Sequence, residues 1–109
     1  MATDLSYVQY VSDQLHDAGL ISFRKMFGEY MVYCDGKPVV LVCDNTSFVK
    51  IKDEIKGLME GMESGYPYHG ATLHYSLDID NHDLSTQVVR ILTMITPYPK
   101  SKKKAIKNP

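Results

Sequence analysis

Any chemistry in this chain would have to come from two cysteines, four histidines and one short acidic run, and their spacing gives them few partners. Cys34 and Cys43 form no Cys-x-x-Cys pair of the kind that holds zinc or performs redox exchange. Both lie in apolar, strand-like sequence, where a thiol behaves as a small hydrophobe and is normally inert as a nucleophile. His16, His69, His74 and His82 are scattered, and none has a second ligand at the spacing of a helical metal pair. His16 falls near the end of a helical pattern, where the helix dipole favours it. His69 falls in a turn-like stretch and His74 beside Tyr75 on a strand. The run Asp78-Ile79-Asp80-Asn81-His82-Asp83 begins like a calcium loop but lacks the required glycine and the distal glutamate. It is expected to be a loop in which Asn81 or Asp83 caps the last helix. There is no Gly-x-Ser-x-Gly elbow, no phosphate-binding glycine loop and no His-Glu-x-x-His. The expectation is therefore no catalytic residue, no metal and no cofactor. An enzyme built on this chain would need a polar pocket with perturbed titratable groups.

Charge is unevenly placed. Five lysines (Lys100, Lys102, Lys103, Lys104 and Lys107) fall in the last ten residues, and the rest of the chain holds seven bases against thirteen acids. An acidic body repels phosphate backbones, so nucleic acid is expected to bind at most through the tail. A nucleic-acid-binding module using Arg24, Lys25 and the tail lysines Lys100, Lys102, Lys103 and Lys104 is the alternative reading. Arg24, Lys25, Lys50 and Lys52 flank strand patterns and could form a small positive patch, or simply solvated strand ends. Eight tyrosines and no tryptophan would suit a protein-binding surface if exposed. No apolar run approaches the roughly 18 residues of a membrane span, and the expected location is cytoplasmic.

The elements that must position these residues alternate. Leu5, Val8, Val11, Leu15 and Ala18 recur at helical steps over residues 4–18, with Thr3 placed to cap the start and Gly19 the stop. Residues 22–52 change to three strands rich in Val, Tyr, Phe and Ile, with turns at Asp35-Gly36 and Asp44-Asn45. Gly28 interrupts an otherwise continuous strand and is expected to mark a bulge or bend. Ile55, Leu58, Met59 and Met62 make a short helical stripe, weakened by Gly57 and Gly61. Two more strands are expected at Tyr66-Pro67-Tyr68 and 72–77. A final helix follows, with Leu84, Val88, Ile91, Leu92 and Ile95 on one face and Pro97 and Pro99 as its stop. The composition suits one domain over residues 1–99 with a flexible lysine-rich tail at 100–109. The order α-β3-α-β2-α implies an α+β fold with a five-stranded, mostly antiparallel sheet.

A two-residue loop at Asp35-Gly36 pairs Cys34 with Lys37, Tyr33 with Pro38, Val32 with Val39, Met31 with Val40 and Tyr30 with Leu41. One face then carries Tyr30, Val32, Cys34, Val39, Leu41 and Cys43, the other Met31, Tyr33, Val40 and Val42. Both are apolar, so each needs a cover: either a second copy of the chain on one face, or helices divided between the two. In this register Cys43 lies opposite Gly28, about 20 Å along the ladder from Cys34 at roughly 3.4 Å per residue. That is too far for a disulfide.

The string Arg24-x-Met26-Phe27-Gly28, the aromatic strand after it, the Asp-Gly turn and Ser47-Phe48-Val49-Lys50-Ile51 resemble the TfoX N-terminal domain family. Tyr66-Pro67-Tyr68, Leu73-His74-Tyr75 and the final amphipathic helix extend the resemblance to about Pro97. It implies a secretion-chaperone-like α+β fold, of a kind that often dimerises. It also implies a non-enzymatic regulatory role in competence-gene transcription, with protein partners in the transcription machinery such as the cyclic-AMP receptor protein. Full-length regulators of this family carry a further C-terminal domain, and these residues resemble the N-terminal domain alone. The motif residues Arg24, Met26, Phe27 and Gly28 are expected to be structural.

Overall fold

The computed structural model describes residues 3–99, so the lysine-rich tail, including Lys100, Lys102, Lys103 and Lys104, lies outside the described residues. The fold is α+β, with two α-helices and a six-stranded sheet in which every neighbouring pair is antiparallel. α1 (Leu5–Gln14) leads through a short 3₁₀ turn (His16–Ala18) to β1 (Ile21–Met26), β2 (Glu29–Cys34), β3 (Lys37–Cys43) and β4 (Thr46–Lys50). A crossing segment contains the 3₁₀ turn Asp53–Ile55 and the edge strand β5 (Ser64–Gly65); β6 (His74–Ser76) and α2 (His82–Ile95) complete the domain. Spatially the strands run β1-β2-β3-β4-β6-β5.

Four strands, not three, fill residues 21–50, because Gly28 is not a bend within one strand. Phe27 (φ 47°) and Gly28 (φ 86°) are the two central residues of a tight turn that joins Met26 to its partner Glu29. Asp35 (53°) and Gly36 (81°), then Asp44 (52°) and Asn45 (54°), repeat the same arrangement. Three consecutive hairpins thus turn through paired left-handed residues, the backbone twist that suits two-residue loops. The expected middle helix is reduced to the turn at Asp53–Ile55, where Gly57 and Gly61 offer no helix propensity and Gly61 takes φ 83°. Its Ile55 and Met59 are nonetheless fully buried, so the stripe was apolar for a reason. Tyr66-Pro67-Tyr68 is not a strand; the pairing residues are Ser64 and Gly65. Thr3 does not cap α1, whose N-cap is Asp4 without a side-chain bond. Thr3 instead donates its hydroxyl to Glu29. Asn81 caps α2 as expected, its Oδ1 accepting from the Leu84 amide at 3.2 Å.

The β2–β3 register holds for Cys34–Lys37 and Tyr33–Pro38, then slips by one residue. Val39 is a bulge, so Val32 pairs with Val40, Met31 with Leu41 and Tyr30 with Val42. Cys43 is thereby moved to lie opposite Glu29, not Gly28, and both cysteines are free and buried. The core face reads Tyr30, Val32, Cys34, Val40, Val42 and Val49, all buried. Val8, Val11 and Leu15 of α1 and Val88, Val89 and Leu92 of α2 join the same core cluster. Both helices therefore cover one face of the sheet, which corrects the division of helices between two faces. The edge positions follow the same logic. Pro97 restricts Thr96 to an extended backbone (φ −93°, ψ 130°), which ends α2. Lys37 donates to the Thr93 carbonyl at 3.0 Å, satisfying one of the free acceptors of that last turn. No helix among the described residues is long and apolar enough to cross a membrane.

Candidate functional site

The face of the sheet turned away from the helices presents a row that crosses four strands: Arg24, Met31, Leu41 and Phe48. Met31 and Leu41 are half-buried, as are Tyr33 and Pro38 beside them, whereas Val32, Val40 and Val42 on the opposite face are fully enclosed. Alternation along β2 and β3, displaced at Val39, sends stiff valines inward and these longer side chains outward. An antiparallel sheet with one wet face normally carries polar residues there. This one carries Met, Tyr, Pro and Leu.

A cleft of about 320 Å³ opens beside this row. Met31, Leu41 and Phe48 contribute apolar surface, Ile95 and Pro97 come from the end of α2, and Tyr68 and Thr72 come from the loop before β6. His74 also lines it; the ring is buried, stands edge-on to Phe48 with centroids 6.5 Å apart, and has Nδ1 2.8 Å from the Thr72 carbonyl. A carbonyl oxygen only accepts, so Nδ1 is the donor of that contact. Lys50 and Lys52 also line it.

The four basic residues named from the sequence do not form one patch. Arg24 and Lys25 point to opposite faces of β1. Arg24 and Lys50 share a face but lie three strands apart, roughly 14 Å at about 4.8 Å per strand. Of the motif residues, Arg24 and Phe27 are exposed and Met26 is half-buried. Phe27 is 104% exposed, its ring resting on nothing among the described residues. The turn that presents it is held firmly: the Thr3 amide donates to the Gly28 carbonyl, and Glu29 accepts from both the Thr3 hydroxyl and the Asp44 amide. Glycine explains Gly28, but no packing in the described chain explains a phenylalanine at 27.

Two histidines that look unrelated in sequence meet at Asp17. His16 Nε2 lies 3.1 Å from one carboxylate oxygen and His82 Nε2 lies 3.0 Å from the other. Arg90 donates to the Asp17 carbonyl, tying α2 to the turn after α1. The group is a clasp between helices, and no set of three metal-ligating side chains occurs among the described residues. The thiols are poorly placed for nucleophilic work at neutral pH. Burial, with Glu29 and Asp44 nearby, pushes Cys43 up to about 11. Burial and the charge of Asp35 also raise Cys34, against a smaller opposing hydrogen bond from Thr93.

Sequence reasoning placed Met31 and Tyr33 on a second apolar face but gave that face Val40 and Val42, which the bulge turns into the core in exchange for Leu41, and it did not find the cleft. The cleft's far wall comes from the loop at 66–72, which no periodicity places. Nor did it single out Phe27 as exposed, since the motif residues were expected to be structural.

Residues 13–90 match the family model described as TfoX N-terminal domain. The match begins within α1 and takes in the whole sheet and most of α2. A protein of Spirochaeta aurantia, described as an uncharacterised 12.7 kDa protein in the trpE 5′ region, is 34% identical over 111 residues, covering 100% of this chain and 96% of that protein.

Proposed function

This chain belongs to the TfoX N-terminal domain family, and from that premise we propose that it is a non-enzymatic, protein-binding regulatory domain. The observation that carries the reading is the uncovered sheet face. Met31, Tyr33, Pro38 and Leu41 remain half-exposed in a continuous row while α1 and the body of α2, through Val88 and Val89, pack on the other side; only the end of α2 reaches the cleft. Apolar surface of this kind, gathered on one flat face, characterises interaction sites. Burial raises both thiols, which suits cysteines that serve as small core residues. The proposed partner is a component of the transcription machinery, as the cyclic-AMP receptor protein is for competence regulators. Association with a second copy of the chain through the same face belongs to the proposal.

The test is transcript profiling in the native host with the gene deleted, restored, and restored as Leu41→Asp. Deletion is expected to change a defined set of transcripts. Leu41→Asp, folded like the wild type by circular dichroism, is expected to reproduce that change. A deletion that leaves transcripts unaltered refutes a regulatory role, and a Leu41→Asp strain that behaves as wild type refutes this face as the working surface. Sedimentation equilibrium on the same two proteins reads self-association: a dimer of the wild type should be lost in Leu41→Asp.

A further inference from the structure

We propose that the cleft beside the open face binds a small organic anion, with a carboxylate head and an apolar body. The charge of the lining carries the argument. Before residue 100 the chain holds thirteen acids and seven bases, yet the cleft is lined by Lys50, Lys52 and His74 and by no acid. The ion pairs among the described residues all involve histidine, so neither lysine has a carboxylate within 4.0 Å there. Asp53 and Glu54, next in the chain, are exposed and outside the lining. Two uncommitted cations in an acidic domain, set against a floor of Met31, Leu41 and Phe48, form an amphipathic receptor for an amphipathic anion. The volume of about 320 Å³ lies at the small end of ligand pockets, which selects a compact molecule over a long lipid tail. The same charges argue against self-filling by the protein's own exposed aromatic. The turn bearing Phe27 follows Arg24 and Lys25, and like charges would meet at the cleft rim.

This assignment shares Met31 and Leu41 with the proposed partner face, but it stands or falls separately, because it is measured on the purified full chain with defined probes. Decanoate and decanol, below their aggregation limits, are titrated into ¹⁵N-labelled protein. Decanoate is expected to bind saturably at one site and to shift the amide signals of Lys50, Lys52 and His74. Decanol, which cannot make charge-assisted bonds, is expected to bind about tenfold more weakly or worse. Lys50→Gln/Lys52→Gln should bring decanoate down to the level of decanol, and Leu41→Asp should weaken both. Equal affinity for the two probes overturns the proposal, as do shifts located elsewhere and binding that never saturates. Signals from the cleft that move with protein concentration alone would show a second copy filling it, and overturn it equally.

Discussion

Replacing Phe27 with asparagine should make this protein more stable, although it removes an aromatic ring. Phe27 sits at φ 47°, in left-handed space. That region costs a residue with a Cβ roughly 1–2 kcal/mol, a cost asparagine largely escapes through its short polar side chain. The usual compensation, burial of the ring, is missing because Phe27 is 104% exposed. The expected gain is therefore about 1 kcal/mol, or a rise in Tm of about 4–8 °C for a domain of this size. Urea denaturation followed by circular dichroism should show a higher midpoint with an unchanged slope. Two controls bracket the cause. Phe27→Ala keeps the backbone cost and loses no buried area, so it should fall within about 0.5 kcal/mol of wild type. Gly28→Ala puts a Cβ on the neighbouring residue at φ 86° and should cost about 1–2 kcal/mol. If Phe27→Asn destabilises by more than about 0.5 kcal/mol, the ring packs on something or the turn is not left-handed, and the reasoning fails.

Further outcomes follow from neighbouring positions. Val40→Ala should cost about 2 kcal/mol and Leu41→Ala less than about 1 kcal/mol in the same urea assay, since consecutive residues face the core and the open side. Asn81→Ala should lower stability by about 1 kcal/mol through loss of the Leu84 amide bond, and a fall in helicity confined to α2 by hydrogen exchange would locate it. Cys43 is a thiol raised from 9.0 to about 11 in the folded protein, so the unfolded chain loses its proton first. Stability should fall as pH rises from about 9 towards about 11, and Cys43→Ala should flatten that slope in urea titrations across the same range.

What the sequence disclosed depended on whether a residue type and its backbone state go together. Asp35-Gly36 and Asp44-Asn45 announce turns because aspartate, asparagine and glycine are the residues that tolerate φ above zero. Phe27-Gly28 makes the same turn with a residue that does not, so one hairpin read as a single strand interrupted by glycine. The helix at residues 82–95 was legible because its apolar face, its Asn81 cap and its prolines agree. The segment 51–73 was not, because two glycines cancel its apolar periodicity and its burial is imposed by tertiary contacts of Ile55 and Met59. As for the candidate site, the alternation of β2 showed Met31 and Tyr33 on a second apolar face, while the bulge at Val39 hid which β3 residues join them. The cleft was not, because it needs a loop and a helix end that are distant in the chain.

The single residue Val39 decides which side chains the outer face carries. Without the bulge, the ladder would place Val40 and Val42 beside Met31 and Tyr33 and send Leu41 inward, since one step of register exchanges the two faces. With the bulge, Val40 and Val42 join Val32, Tyr30 and Cys34 in the core, and Leu41 joins Met31 outside. The exchange is not neutral. Valine has one branched, stiff side chain that packs well in a fixed interior. Methionine and leucine have more rotatable bonds, and methionine adapts to irregular partners. Tyrosine adds a hydroxyl that can hydrogen-bond at a wet rim. The bulge therefore turns the stiff valines of β3, Val40 and Val42, into the core and leaves Leu41 beside Met31 and Tyr33 on the uncovered face. A sheet stabilised from within by valines can keep Met31, Tyr33 and Leu41 free for a partner at little cost to its own fold.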